Sequence, residues 1–441
     1  MAKKKNNVMP KITNIQLSLE RFEGNPILKP DNRHTWETKG VFNPAAIYEG
    51  GTVHLLYRAI GETDVSVLGY ASSLDGLHIS ERLDKPVYLP REPFEGVSPA
   101  QPYVSQPAGI FVSGGGGMGG CEDPRLTKIS DRVYMTYVAY DGHSHPRVAL
   151  SSIHIDDFLS KKWNWQKPVL ISAPYIVDKN ACILPEKING KYVIFHRVFP
   201  NILIDFVDNL DFDGKTRWLE GQFKIPTRGL SSDWDNLKVG CGPPPIKTKE
   251  GWLLIYQAVS SFDESRYKIG AMLLDLKDPT RVLARTISPI LEPIATYENE
   301  GFKAGVVYPC GAVVINDRLF VYYGGADTFV CVASVKLEPF LEQLATNHKE
   351  DKSVNIPIQA RNDKNMKDHF EAQCRKCGRM REIKNPRLVM LKSLKQVIHG
   401  ICPVCGGKMS KILKPKSEID NDTSPSREKT KKKKNGKNLN N

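Results

Sequence analysis

Five segments of the chain repeat one pattern, and this repetition constrains the fold more than any other feature. Each segment has an extended start, a polar turn with Gly, Asp or Asn, and an alternating apolar strand that ends in an aromatic. The segments read NPAAIYEGGTVHLLYRA, DPRLTKISDRVYMTYVA, ACILPEKINGKYVIFHR, GPPPIKTKEGWLLIYQA and YPCGAVVINDRLFVYYGG. Two short strands joined by such a turn are typical of a β-hairpin.

The register of the repeat is regular. In four segments a proline lies 13 residues before the final tyrosine, at Pro44 and Tyr57, Pro124 and Tyr137, Pro243 and Tyr256, and Pro309 and Tyr322. Cys182 and Phe195 take these places in the third segment. Five hairpins at a period of about 60 residues predict a repeat architecture. Arranged radially, they give an all-β fold, a five-bladed β-propeller, in which only short edges are exposed. A two-sheet sandwich with coincidental spacing is the alternative.

The charge of the chain is unevenly distributed. The 441 residues carry a net charge of +13, but residues 346–441 contain 24 Lys and Arg against 10 Asp and Glu. Residues 1–345 are therefore close to neutral, and the basicity says nothing about the partner of the larger part. No apolar run long enough for a signal peptide or a membrane span is present, so we expect a cytoplasmic protein with no membrane contact.

Polar residues stand where the repeated segments begin and where their aromatic strands end. A propeller brings such positions together around one central channel, and here they form a mostly basic set with two carboxylates. The set consists of Asn43, Arg58, Asp123, Arg125, Lys179, Arg197, Lys238, Gln257 and Asp327. This mixture is typical of a sugar or phosphate site and is not needed by a purely structural channel.

The stretch GGCEDPR at residues 119–125 carries a resemblance to a known family. Together with FNPA and YRA, PEKINGKY and HR, GPPPIKTKEGWLLIY, and YPCGAVV with YYGGAD, it resembles glycoside hydrolase family 130 in order and spacing. This is a family of five-bladed propellers that includes β-mannoside phosphorylases and mannosidases. The resemblance covers roughly residues 30–345 and places the catalytic propeller at residues 1–345.

The resemblance implies a role for each candidate residue. Asp123 would be the general acid, its proton being relayed through a sugar hydroxyl, and Pro124 is expected to hold Asp123 in an extended conformation. The sugar-binding residues would be Asn43, Arg58, Arg125 and Asp327, and the phosphate-binding residues would be Lys179, Arg197, Lys238 and Gln257. Lys179 replaces an arginine that is usual in some members, and Gln257 stands where histidine is expected. The alternative is that Glu122 and Asp123 stabilise a turn and that the lysines are solvated.

The resemblance favours inverting phosphorolysis of β-1,4-mannooligosaccharides or mannosyl-glucose to α-mannose 1-phosphate. Phosphate arrives as an anion, so a phosphorylase needs cations and no base. An inverting mannosidase would need a second carboxylate as base, for which Glu298 and Glu300 are candidates. A noncatalytic glycan-binding or nucleic-acid-binding protein is a further alternative. We expect inorganic phosphate as co-substrate and no organic cofactor, and the sequence leaves room for a homo-oligomer.

The C-terminal part carries a separate signal. Cys374 and Cys377, and Cys402 and Cys405, give the pattern C-x2-C-x24-C-x2-C, which predicts a structural Zn²⁺ site with four thiolate ligands. We expect a linker at 346–368, a zinc ribbon at 369–415 and a disordered lysine-rich tail at 416–441. The basic residues of the ribbon could bind nucleic acid or another protein, or could simply keep it soluble; they are Arg375, Lys376, Arg379, Arg381, Lys384 and Arg387.

Overall fold

The structure is a computed structural model that describes residues 17–97, 117–228, 233–350, 371–374, 376–390 and 396–412. The chain divides into two compact units, Met1–Val354 and Asn355–Asn441. Within the described residues, no helix has both the length and the apolar character needed to cross a membrane.

The first half of the larger unit forms two antiparallel groups of strands, called here the first and second sheets, which are joined by one parallel pairing between Ser66 and Gly120. A short strand, β1 (Glu20–Arg21), precedes them. The strands of the first sheet are β2 (Gly40–Glu49), β3 (Thr52–Ile60), β4 (Ser66–Ser73) and β5 (Glu81–Arg82). The strands of the second sheet are β6 (Gly120–Ile129), β7 (Arg132–Tyr140), β8 (Arg147–His154) and β9 (Val169–Leu170). A 3-10 helix (Pro93–Glu95) and helix α1 (Ile155–Leu159) lie in the connections.

Three more antiparallel sheets follow. The strands of the third sheet are β10 (Asp178–Ile183), β11 (Tyr192–Val198), β12 (Asn201–Val207) and β13 (Phe223–Ile225). The strands of the fourth are β14 (Lys238–Cys241), β15 (Ile246–Lys247), β16 (Trp252–Ser260), β17 (Asp263–Leu274) and β18 (Val282–Arg285). Helix α2 (Thr296–Asn299) leads to β19 (Val307–Ile315), β20 (Arg318–Gly325) and β21 (Phe329–Lys336) of the fifth sheet. Strand β1 completes the fifth sheet by pairing with β21.

The apolar core lies between neighbouring sheets. Leu56 of the first sheet packs in one cluster with Leu126 of the second, and Val53 of the first packs with Phe320 of the fifth. The first strands also meet, since β2 contacts both β6 and β19. Each sheet therefore buries its apolar faces against its neighbours, as units that cannot fold alone must do. Because more than two sheets are present, the two-sheet sandwich is wrong.

The five predicted hairpins are confirmed, but the repeated aromatic was assigned wrongly in two of them. In the third sheet the register shifts between Lys179 and Cys182, so His196 is the residue opposite the bulge, and Phe195 is not. In the fifth sheet the hydroxyl that bonds a buried carboxylate belongs to Tyr323. Tyr322 donates to the carbonyl of Gly76 instead. The hairpin of the third segment has a longer turn, and counting residues from the proline position did not allow for it.

The boundary expected at residue 345 lies inside a helix. Helix α3 (Leu337–Glu350) follows the fifth sheet directly, and its Phe340, Leu341 and Leu344 pack into the core between the fourth and fifth sheets. The first residues of the predicted linker are therefore helical, and residues 351–368 lie outside the described part.

The smaller unit contains two small sheets. Strands β22 (Glu371–Gln373) and β23 (Met380–Glu382) form one. Strands β24 (Lys384–Met390), β25 (Gln396–Ile401) and β26 (Lys408–Ile412) form the other. The predicted tail at 416–441 lies outside the described residues.

Candidate active site

The candidate site is built on irregularities in the first strands of the sheets. The ladder shifts register between Phe42 and Ala45 in the first sheet. It shifts in the same way between Glu122 and Arg125 in the second. A bulge places two residues opposite one and turns a side chain in a new direction. The residues so turned, at Asn43, Asp123 and Asn180, have φ angles of 49°, 50° and 58°. The extended conformation expected for Asp123 before Pro124 is therefore wrong, because the bulge requires the left-handed region that Asn and Asp tolerate.

Asp123 is buried among groups that stabilise its charge. Asn43 donates a hydrogen bond from Nδ2 to Asp123 Oδ1 at 2.7 Å, and Nη1 of Arg58 lies 3.4 Å from the same oxygen. Burial raises the pKa of Asp123, but the charges of Arg58 and Arg125 and the Asn43 hydrogen bond outweigh it. The pKa of Asp123 therefore lies below its ordinary value, and this carboxylate is ionised before ligand binds.

The two predicted arginines of the sugar site are both buried and have different partners. Arg58 donates from Nε to Ser66 Oγ at 3.0 Å and from Nη2 to Glu122 Oε1 at 3.3 Å. Arg125 donates to main-chain carbonyls, from Nη1 to Asp123 at 2.7 Å and from Nε to Gly242 at 3.2 Å. Arg125 thus ties the second sheet to the fourth directly behind Asp123.

Lys179 and Arg197 are brought together as cross-strand neighbours in the third sheet. Nζ of Lys179 lies 3.7 Å from Glu122 Oε2, the carboxylate next to Asp123 in the chain. The partly buried Arg197 makes no side-chain hydrogen bond or ion pair with any residue in the described part of the chain. A guanidinium in this state keeps all its donors available for an anion.

Lys238 belongs to a cationic cluster that includes a residue not predicted from the sequence. Its Nζ donates to the hydroxyl of Tyr267 and lies 4.2 Å from the centre of that ring, and Lys303 Nζ lies 4.3 Å from the same centre. Burial lowers the pKa of Lys238 to about 8, and repulsion from Arg197 and Lys303 adds to the effect. Arg285 of the fourth sheet, by contrast, has a carboxylate partner, Asp235, at 2.5 Å. Among the described residues, Arg197, Lys238 and Lys303 have none within ion-pair distance.

Gln257 lies in a buried chain of amides. Its Nε2 donates to Asn180 Oδ1 at 3.2 Å, and Asn180 Nδ2 donates to the hydroxyl of Tyr308. A methyl group at Gly240 would lie 2.3 Å from Gln257 Nε2, so the glycine allows this close approach. Sequence reasoning missed Asn180, Tyr267, Tyr308 and Lys303. Asn180 and Lys303 are of residue types that usually lie on the surface. Only the fold shows that all four residues face the site.

Asp327 is the second buried carboxylate of the set. It follows Ala326 in the turn between β20 and β21, and both residues have a φ of 50°. Burial raises the pKa of Asp327 to about 6, and repulsion from Asp123 adds to the shift while Lys303 and Arg58 oppose it. The charges that act on Asp327 belong to Lys303, Asp123 and Arg58, so Asp327 lies near the other candidate residues.

The buried site holds hydrogen-bond acceptors without donors. Asn43 Oδ1, Glu122 Oε2 and Gln257 Oε1 have no hydrogen-bond partner among the described residues. Buried acceptors without a donor are costly, and a bound ligand is one way to pair them. A ligand rich in hydroxyl groups would supply the missing donors.

The two glutamates considered as bases differ from this set. Glu298 is fully buried, bonds Arg21 at 2.8 Å and accepts the N–H of Ile294 at 2.8 Å, so its oxygens cap helix α2. Glu300 is exposed at the end of that helix. Glu298 is therefore a structural carboxylate and Glu300 a solvated one, and neither position indicates a catalytic base.

The four cysteines of the smaller unit do come together. Their sulfurs lie within 4.8 Å of one another, with Cys374 and Cys405 3.5 Å apart and Cys377 and Cys402 3.9 Å apart. Tetrahedral Zn–S bonds of about 2.3 Å require sulfurs roughly 3.8 Å apart, so the residues fit the metal.

Comparisons with known proteins agree with the geometry. A family model described as beta-1,4-mannooligosaccharide phosphorylase, of glycoside hydrolase family 130, matches residues 18–346. The chain is 38% identical over 336 residues to a 1,2-beta-oligomannan phosphorylase of Thermoanaerobacter sp. (73% of this chain, 98% of the relative). It is 39% identical over 333 residues to a beta-1,2-mannobiose phosphorylase of the same organism, with the same coverage.

One solved structure and one relative that is named for a different mannosidic linkage also match the chain. The beta-1,2-mannobiose phosphorylase of Listeria innocua, in complex with beta-1,2-mannobiose, superposes with a TM-score of 0.57 at 28% identity. The match covers 74% of this chain and 99% of that one. A beta-1,4-mannooligosaccharide phosphorylase of Ruminococcus albus is 28% identical over 340 residues (74% of this chain, 91% of the relative).

Proposed function

The chain belongs to glycoside hydrolase family 130, and we propose that it cleaves β-mannosides by phosphorolysis with inversion. The products are α-mannose 1-phosphate and a sugar shortened by one mannosyl unit. The observation that carries this proposal is the group of cations without carboxylate partners, Arg197, Lys238 and Lys303, at the site that holds Asp123. A hydrolase would have no use for uncompensated charge of this sign, whereas phosphate requires it.

In the proposed mechanism the cations bind phosphate, Asp123 provides the proton, and a third group of residues binds the sugar. A phosphate oxygen attacks the anomeric carbon of the mannosyl unit, and the bond from that carbon to the glycosidic oxygen breaks. The glycosidic oxygen takes a proton that originates on Asp123 and is relayed through a mannosyl hydroxyl, as the family resemblance implies. Arg197, Lys238 and Lys303 hold the phosphate together with Lys179, which lies beside Glu122. Asn43, Arg58, Arg125 and Asp327 bind the sugar.

Asp123 must carry a proton when the bond breaks, although its pKa is depressed in the free site. Phosphate brings negative charge toward Asp123 and offsets the cations that depress this pKa. The proton is therefore taken up together with phosphate. Gln257 stands where the family resemblance leads us to expect histidine. It is neutral, and its unpaired Oε1 accepts a hydrogen bond from a hydroxyl group of the bound ligand.

The substrate we propose is a β-1,2-linked mannoside. The two relatives at 38–39% identity are named for β-1,2 linkages, and the relative named for β-1,4 linkages stands at 28%. The β-1,4-mannooligosaccharide or mannosyl-glucose expected from the sequence is thus the second candidate, favoured by the description of the family model.

We further propose that the five sheets are the blades of a β-propeller. The pairing of β1 with β21 and the contact of β2 with β19 support closure of the ring between the first and last blades. In the smaller unit, Cys374, Cys377, Cys402 and Cys405 would hold a structural zinc ion that stabilises this small fold. Contact of its basic residues with nucleic acid or protein stays a prediction, and Arg375 lies outside the described residues.

The linkage is tested with purified protein, phosphate and three substrates, β-1,2-mannobiose, β-1,4-mannobiose and mannosyl-glucose. Release of α-mannose 1-phosphate is measured for each. We expect β-1,2-mannobiose to give a kcat/KM at least tenfold above the others, a difference of about 1.4 kcal/mol. A preference for either β-1,4 substrate would overturn the linkage, and free mannose without phosphate dependence would overturn phosphorolysis itself.

A further inference from the structure

Tyr267 contacts two of the three cations that we assign to phosphate. Its hydroxyl accepts a hydrogen bond from Lys238 Nζ. The centre of its ring lies 4.2 Å from Lys238 Nζ and 4.3 Å from Lys303 Nζ. An ammonium group within about 6 Å of a ring centre is attracted by the negative face of the ring. Two like charges are therefore held next to one uncharged side chain.

Contacts on two strands fix this ring between the fourth and fifth sheets. The N–H of Tyr267, on β17, donates to the carbonyl of Gly305 at 2.9 Å, in the connection that also carries Lys303. The ring packs against Tyr308 of β19, with the ring centres 5.8 Å apart. The hydroxyl of Tyr308 in turn accepts a hydrogen bond from the amide of Asn180. The ring of Tyr267 therefore cannot move far from Lys303 without breaking these contacts.

The neutral partner matters because a carboxylate would have the opposite effect on phosphate. Lys268, the next residue in the chain, pairs with Glu292 at 2.8 Å, so its charge is compensated. An acid beside Lys238 or Lys303 would compensate them in the same way and would repel phosphate. A hydroxyl and an aromatic ring attract an ammonium group and leave its charge uncompensated. The ring thus gathers positive charge that an anion can use.

The electrostatics of the pair agree with this geometry. Burial lowers the pKa of Lys238 to about 8 and repulsion from Arg197 and Lys303 adds to the shift, while Tyr267 opposes it. Burial raises the pKa of Tyr267, but the charges of Lys238, Lys303 and Arg197 outweigh it and bring that pKa to about 8. The hydroxyl therefore helps to keep Lys238 charged at neutral pH, against the repulsion of two other cations.

We propose that Tyr267 is a positioning residue for phosphate, which holds the ammonium groups of Lys238 and Lys303 side by side so that one phosphate anion can bind both. The inference rests on the proposed function, because phosphate is the ligand that these lysines are assigned to bind. Lysine side chains are flexible and like charges repel, so without the ring the two groups would move apart. The ring supplies the preorganisation that strengthens binding.

The test compares Tyr267→Phe, which keeps the ring, with Tyr267→Leu, which removes both the ring and the hydroxyl. Tyr192→Leu is the matched control, because the Tyr192 ring lies 4.2 Å from Lys187 Nζ at the end of β11 away from Arg197. The measurements are KM for phosphate, KM for the mannoside and the Kd for inorganic phosphate by calorimetry. We expect phosphate affinity to fall about fivefold in Tyr267→Phe and about thirtyfold in Tyr267→Leu, with mannoside KM changed by less than about twofold. Tyr192→Leu should leave both KM values unchanged.

The pH dependence of phosphate KM gives a second readout, which a merely structural role would not move. In wild type, loss of a proton from Lys238 or Tyr267 removes one positive charge, so phosphate affinity should fall as pH rises through about 8. In Tyr267→Phe the hydroxyl that raises the pKa of Lys238 is gone, so this loss should begin at a lower pH. Phosphate itself titrates in the same way with both proteins and cancels from the comparison.

The outcomes distinguish this inference from the proposed function. Equal phosphate affinity in wild type and Tyr267→Leu overturns the inference, and so does a parallel rise of both KM values. If Tyr267→Leu does not fold, Tyr267→Phe decides, because an unchanged pH profile in that variant also overturns the inference. Wild type that neither binds phosphate nor forms mannose 1-phosphate contradicts the proposed function. Wild type that does both, with unaltered Tyr267 variants, contradicts this inference alone.

Discussion

Asn43 and Asp123 lie 80 residues apart on the first strands of different sheets, and Asn43 Nδ2 donates to Asp123 Oδ1 at 2.7 Å. Both residues sit in bulges with nearly equal φ angles, 49° and 50°. A methyl group at Gly324 would lie 2.0 Å from Asn43 Oδ1, so the fifth sheet leaves space for this amide. Three sheets therefore cooperate in holding one carboxylate in position.

Replacement of Asn43 by alanine should damage catalysis more than stability. The variant removes a hydrogen bond to a buried charge, and we expect kcat to fall about 10- to 100-fold. Steady-state kinetics with the preferred mannoside measure the effect. Asn189→Ala is the matched control, because Asn189 also has a positive φ, at 51°, but is exposed in a turn. Equal kcat in wild type and Asn43→Ala would contradict the role of this pair.

Lys303 should contribute to phosphate binding although the sequence did not single it out. Lys303→Met removes one of three cations that lack carboxylate partners, and we expect KM for phosphate to rise roughly tenfold while mannoside KM changes little. Lys249→Met serves as control, since Lys249 is exposed and pairs with Glu338 at 3.2 Å. The same phosphate KM in both variants would remove Lys303 from the site.

Asp327 should make stability depend on pH. Its folded pKa of about 6 is raised above the value of 3.8 for an unfolded chain, so its ionisation opposes folding as pH rises from about 4 through 6. Asp327→Asn should therefore gain up to about 3 kcal/mol over wild type at pH 8 and little at pH 4, while losing activity. Denaturant unfolding at the two pH values measures this. A gain that does not grow with pH would contradict the burial of an ionised Asp327.

Much of this architecture could be predicted from the sequence because it depends on local patterns. The proline-to-tyrosine spacing identified the hairpins, and the paired CxxC motifs identified the cysteine cluster. What escaped prediction depends on contacts between distant segments. The bulge that gives Asp123 its φ of 50° overrides the preference imposed by Pro124. Lys303 lies in the connection before β19, and it could not be distinguished from a surface lysine until Tyr267 of β17 was placed beside it.

Removal of zinc should unfold the smaller unit and spare the larger one. A chelator, or Cys402→Ser, should release the metal and expose residues 371–412 to proteolysis, because the four thiolates are the main support of so small a core. Metal content and limited proteolysis follow the change. Cys331→Ala, in the core of the larger unit, should lower stability without loss of zinc. Zinc retained after Cys402→Ser would contradict the assignment of that ligand.

The central claim is that Asp123 supplies the proton for a phosphate-dependent cleavage. The most direct measurement is the product formed from β-1,2-mannobiose with and without phosphate, by wild type and by Asp123→Asn, followed by ³¹P NMR to assign the anomer. We predict α-mannose 1-phosphate from wild type only when phosphate is present, and a loss of at least 1000-fold in kcat for Asp123→Asn. Free mannose formed at equal rates without phosphate, or full activity in Asp123→Asn, would contradict it.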